Sequence, residues 1–213
     1  EALNRGAEFA LALTLPAAVA LVVIAMPLVQ VLFQRGAFGP DDTANTALAL
    51  AAYGLGLPAF VLHKVLQPLF YAREDSRSPF RYALWSMVIN AAFAFALLPF
   101  IGFIAAALAT TVAAWIMALQ LWLGARRMDE AAHFDARFKS RLWRIVLASA
   151  VMGGVLWGLT VALGPALDAE HWRWLALGGL VSGGMLAYFI AAALFGALRL
   201  SDLRSALRRT PRS

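Results

Sequence analysis

The residues best placed to do chemistry lie in one apolar stretch, VLHKVLQPLFYAREDSRSPF at 61–80. Lys64 stands there at a depth where a membrane span would stay uncharged. At 3.6 residues per turn it shares a helical face with Tyr53, Leu57, Phe60, Gln67 and Tyr71. Pro68 has no backbone N–H, so the Lys64 carbonyl also loses its usual helical donor. A cation, an amide, two phenols and a freed carbonyl make this the one strongly polar face within the spans. An ionisable group at membrane depth generally faces a bundle interior or a watery cavity, where it can meet a polar ligand. The competing reading is snorkelling, in which the ammonium reaches the inner headgroups and plays no further part.

Other polar residues at depth are few: Ser86, Asn90, Thr110, Thr111, Gln120 and Ser149. Their expected role is hydrogen bonding between helices. The acidic residues sit at ends and connections, so no buried carboxylate offers a proton or sodium site. His63, His133 and His171 are scattered, and cysteine is absent. Neither a nucleophile with its base, nor a carboxylate pair, nor a metal cluster can be assembled from these positions. The expectation is a protein that is not an enzyme and carries no metal or cofactor.

The elements that hold the polar face are set by composition. Hydrophobic residues make up 62% of the chain, charged residues 14%, and the mean hydropathy is +0.74. A soluble domain is close to half apolar and about a quarter charged. The chain therefore reads as an all-α polytopic membrane protein with six spans. They are Phe9 to Phe33, about Thr43 to Ala72, about Tyr82 to Phe100, Ile104 to Leu123, Trp143 to Leu163, and Trp174 to Leu198. Helices are required because an open sheet edge in lipid leaves backbone groups unpaired. The opening EALNRGAEFA reads as starting partway through an element of a longer polypeptide.

Charge placement orients the bundle. Fifteen of the 18 basic residues fall at the N-terminus, in 73–81, in 124–144 and after 198, whereas Arg35 and Arg173 lie on the opposite side. By the positive-inside rule the first set is cytoplasmic, and so are both ends of the chain. The sequence pI near 10.5 is thus a topology signal, and no nucleic-acid partner is expected. Trp143, Trp172 and Trp174 mark span ends at the headgroup level. The basic tail 199–213 could lie on the anionic inner leaflet or extend into solvent.

Small residues at every fourth position form three ridges: Gly102, Ala106, Thr110, Ala114; Ala150, Gly154, Gly158, Ala162; and Gly179, Gly183, Ala187, Ala191. The last two predict that the fifth and sixth spans pack as a pair. Pro16, Pro27, Pro58 and Pro68 are expected to interrupt the first two spans. The polar connection suggests a division into 1–123, a four-helix unit; 124–142, a cytoplasmic connection; 143–198, a helical hairpin; and 199–213, the tail.

Two motifs make the pattern specific. LFQRGAFGPDD is followed by AYGLGLPAFVLHKVLQPLFYAREDSRSP, and together they resemble the murein-precursor lipid flippase family, MurJ or MviN. The resemblance rests on Arg35, Gly36 and Phe38, then on Lys64, Val65, Leu66, Pro68, Phe70, Tyr71, Ala72, Arg73, Asp75, Ser78 and Pro79. Ser78 stands where the family usually has threonine. The resemblance implies the C-terminal part of a fourteen-span exporter of the multidrug/oligosaccharidyl-lipid/polysaccharide superfamily: a partial lobe of four helices plus a C-terminal hairpin. It implies movement of lipid II, an undecaprenyl-diphosphate-linked precursor, from the inner to the outer leaflet of the bacterial inner membrane by alternating access. The implied partners are lipid II, membrane lipids and the preceding spans of the same protein. A cation such as Lys64, with Gln67, Tyr71 and Tyr53 beside it, would suit a diphosphate headgroup, and the hairpin would help to hold the lipid tail. The cavity arginines typical of the family fall outside this stretch. The alternatives are a related exporter of another lipid-linked oligosaccharide and a membrane scaffold for cell-wall synthesis.

Overall fold

A computed structural model describes residues 2–128, 136–169 and 171–196. The tail 199–213 and the middle of the 124–142 connection lie outside the described residues. The described chain forms seven α-helices: α1 Ala2–Val23, α2 Ala25–Phe33, α3 Pro40–Tyr71, α4 Arg77–Ile101, α5 Ile104–Met128, α6 Ala136–Asp168 and α7 Arg173–Leu194. Six are long and apolar enough to cross a membrane, and α2 is the short exception. The protein is a multi-pass helical membrane protein.

The first expected span, Phe9 to Phe33, is divided into α1 and α2 at Ile24. Pro27 explains the break, because it cannot donate to the Val23 carbonyl and its ring crowds that carbonyl. Hydrogen bonds on either side survive, from Ile24 N–H to the Ala20 carbonyl and from Leu28 N–H to the Ile24 carbonyl. Pro16, Pro58 and Pro68, expected to interrupt their spans as well, stay inside continuous helices. The helices also extend further into polar sequence than the spans, α5 to Met128 and α6 back to Ala136. Hydropathy marks the part of a helix that lipid requires to be apolar, not the polar turns that continue it.

Each long helix packs chiefly on the next in the series α4, α5, α3, α1, α6, α7, and α2 rests on α3. Helix α3 is thereby held between α1 and α5. Its approach to α1 depends on Gly54, where a Cβ would come within 2.9 Å of Leu21 Cβ. On the other side Thr111 Oγ1 donates to the Ala52 carbonyl at 2.7 Å, and Trp115 Nε1 to the Leu55 carbonyl at 3.0 Å. His63 Nε2 donates to the Ala114 carbonyl at 2.7 Å. Helix α4 is joined to α5 by Ser86 Oγ, which donates to the Ala113 carbonyl at 3.0 Å. The expected interhelical role thus holds for Thr111 and Ser86. Thr110 and Ser149 instead bond within their own helices, to the Ala106 and Ile145 carbonyls.

Helices α6 and α7 do pack together, and the predicted ridges take part through Gly183 and Ala191 of α7 but not along their length. At Gly154, Gly158 and Gly179 an added Cβ would meet nothing within 4 Å. The contact is made by Leu156 and Leu159 of α6, which sit over Gly184 and Gly183 of α7. Large side chains fill the space that small ones leave, which a search for paired small residues overlooks. Of the ridge Gly102, Ala106, Thr110 and Ala114, Ala114 alone is buried, and α5 otherwise buries Ala105, Ala107, Ala109, Ala113, Ala118 and Ala125.

Candidate functional site around α3

Helix α3 begins at a turn built by motif residues. Gly36 takes φ +60°, a left-handed conformation that a Cβ disfavours. Arg35 donates to the Leu32 carbonyl at 2.6 Å, satisfying the C-terminal end of α2, and its guanidinium lies 5.7 Å from the Trp174 ring of α7. Phe38 packs on Ala25, Val29 and Ala47, with its ring 6.3 Å from Phe33. Pro40 then occupies the first helical position, where a missing N–H costs nothing, and Asp42 Oδ2 accepts from the Gly39 N–H at 3.0 Å.

The other end is also a turn held by motif residues. Phe70 is fully buried and meets Tyr82 of α4 edge-on, with the ring centroids 6.2 Å apart. Both rings sit over Gly124 of α5, where an added Cβ would fall 2.8 Å from the Tyr82 hydroxyl and 3.1 Å from Phe70 Cζ. The Phe70 carbonyl accepts from the Arg73 and Asp75 N–H groups, both at 3.0 Å. Asp75 Oδ1 accepts from the Ser78 N–H at 3.0 Å, satisfying one of the free donors that open α4. The Ser78 hydroxyl and backbone hold the Asp75 carboxyl below its ordinary range, and Arg81 adds to the effect. Pro79 is buried in the first turn of α4. Glu74 completes the turn with φ 59°.

Between these turns runs the polar stripe. Tyr53, Lys64, Pro68 and Tyr71 are exposed, and Leu57, Phe60 and Gln67 are half-buried. Lys64 makes no ion pair or hydrogen bond among the described residues. His63, one position away, is turned into the α3–α5 contact instead, which accounts for its presence without a ligand. At 32 residues α3 is about 48 Å long, against a hydrocarbon core of roughly 30 Å. Its ends therefore enter the headgroup regions, and Lys64 stands two turns from the C-terminal end.

Several polar links between α1–α2 and α6–α7 had no sequence signal. Arg141 Nη1 meets Glu8 Oε2 at 2.8 Å, with both side chains largely buried. Gln30 Nε2 donates to Asp168 Oδ1 at 2.9 Å near the opposite end. The partners are more than a hundred residues apart, and nothing in local spacing announces such pairs. Charge type could have nominated Glu8, a lone carboxylate at the edge of a span, but not its partner.

The family profile described as lipid II flippase MurJ matches residues 1–170. A probable lipid II flippase MurJ of Rhizobium tropici is 40% identical over 209 residues, covering 97% of this chain and 39% of the relative. One from Vibrio cholerae is 36% identical over 200 residues, covering 91% of this chain and 37% of the relative. Among solved structures, a lipid II flippase MurJ in an inward closed conformation superposes with a TM-score of 0.74 at 26% identity. That match covers 97% of this chain and 39% of the solved chain. The chain thus spans about two-fifths of the length of the relatives it matches.

Proposed function

This chain belongs to the lipid II flippase MurJ family, and from that membership we propose that it works as the C-terminal part of a flippase. The substrate is a lipid-linked peptidoglycan precursor, lipid II, carried from the cytoplasmic to the periplasmic leaflet of the inner membrane by alternating access. The four-helix unit 1–123 forms part of one lobe, and the hairpin 143–198 stands beside it. Both ends of the chain face the cytoplasm, a reading that the fifteen-to-two distribution of basic residues supports. Transport, not catalysis, is the activity.

The observation that carries this reading is the family match across α1 to α6, joined to the exposed ammonium of Lys64, which has no partner among the described residues. A diphosphate must leave water to cross the bilayer, and a fixed cation with hydroxyl and amide donors beside it offsets part of that loss. Lys64 would meet the headgroup as it enters, with Gln67, Tyr71 and Tyr53 along the same stripe. Pro68 leaves the Lys64 carbonyl free to accept from a sugar hydroxyl or a peptide N–H. The test is reconstitution of the full-length protein in liposomes with lipid II in both leaflets. Time-dependent transfer of lipid II between leaflets, above that of protein-free liposomes, is expected; its absence in correctly folded protein overturns the reading.

A further inference from the structure

In an α-helix each carbonyl accepts from the N–H four residues on, so the Ala12 carbonyl of α1 should be served by residue 16. Residue 16 is proline and has no N–H to give. The Tyr188 hydroxyl of α7 donates to that same carbonyl, across 176 positions of sequence. Tyr188 is 5% exposed and Ala12 6%, so water does not compete for either group. The side chain reaches α1 past α6, through a cluster that includes Ile145, Ala148 and Met152. At Gly153 an added Cβ would fall 2.8 Å from Val19 Cγ1 of α1, so α6 lies close against α1.

We propose that Tyr188 is a positioning residue that replaces the helical donor removed by Pro16 and so fixes the register of the α6–α7 hairpin on α1. Apolar contact alone specifies register weakly in lipid, because tails pack on Leu as well as Leu packs on Leu. A carbonyl freed at one point of α1 is different, since it is satisfied only when the hydroxyl stands at one height. The Glu8–Arg141 pair joins α1 to α6, the Gln30–Asp168 bond joins α2 to α6, and Tyr188 adds a tie from α7 to α1. With these three ties, two to α1 and one to α2, the hairpin moves together with α1 and α2 as one body rather than as a separate arm. The inference does not depend on which lipid is carried.

The experiment uses the full-length protein in nanodiscs with the variants Y188F, P16A and both together. With Pro16 present, Y188F is expected to lower Tm by roughly 2–4 °C. In the P16A background the helix supplies its own donor to the Ala12 carbonyl, and Y188F should then cost no further stability. Spin labels at exposed positions Leu13 and Met185 should give one narrow distance in the parent protein and a broadened one in Y188F. Equal Tm losses in both backgrounds, no loss in either, or an unbroadened distance in Y188F would overturn the proposal.

Discussion

Helix α3 uses the motif residues differently at its ends and along its length. At the ends, Arg35, Gly36, Phe38, Phe70, Asp75 and Pro79 are turned inwards or engaged in turns. Along the stripe, Tyr53, Lys64 and Tyr71 remain exposed. The two motifs together therefore contain two kinds of residue, those that set the length and entry angles of α3 and those that the helix presents. A side chain can belong to a family's pattern because the fold needs it there, so motif membership alone does not assign contact with a substrate.

Substitutions can separate the two kinds, and the largest effect belongs to the ends. Phe70→Ala empties the contact among α3, α4 and Gly124, and should cost about 3 kcal/mol of stability. Chemical unfolding in detergent micelles measures it, and a loss no greater than that of Tyr53→Ala would erase the distinction between ends and stripe. Gly36→Ala places a Cβ at φ +60° with nothing within 4 Å of it. The cost is then backbone strain alone, about 1 kcal/mol, readable as a lowered midpoint without loss of helix content.

The smallest effect is electrostatic and sharpens the comparison by pH. Because the Ser78 contacts depress the Asp75 pKa, its contribution to stability is present above the unfolded value of about 3.9 and disappears as pH falls through the lower folded value. Asp75→Asn should therefore flatten the Tm profile slightly between pH 5 and 3 and leave neutral-pH transport unchanged. A profile parallel to that of the parent protein would show that the carboxylate contributes nothing at that turn.

Much of the fold could be read before any coordinates, and for a physical reason. Lipid demands long apolar runs, so the spans announce themselves. The break at Ile24 was legible as Pro27, yet Pro16, Pro58 and Pro68 carry the same signal and leave their helices continuous. At Pro16 a hydroxyl from α7 serves the freed carbonyl, and no local pattern encodes that. The hairpin pairing was readable from its small residues, but its contact is Leu156 and Leu159 over Gly184 and Gly183. Complementarity between unlike side chains depends on which helices meet, and sequence periodicity is silent on this. At the candidate site, Lys64 was legible because a charge in an apolar run is costly. Glu8 and Arg141 were not, because each looks like an ordinary charge at the end of a span.

The central claim is that Lys64 meets the headgroup of the transported lipid. The most direct measurement is the rate of lipid II transfer in liposomes by full-length protein carrying Lys64→Met or Lys64→Arg, each with Tm and yield matched to the parent. Met keeps the length and apolar stem but removes the charge, so the account predicts at least a tenfold slower rate, on the order of one charge-assisted hydrogen bond, with substantial recovery in the Arg variant. Full transfer by the Lys64→Met protein would contradict the account and leave Lys64 as an anchor at the inner headgroup layer.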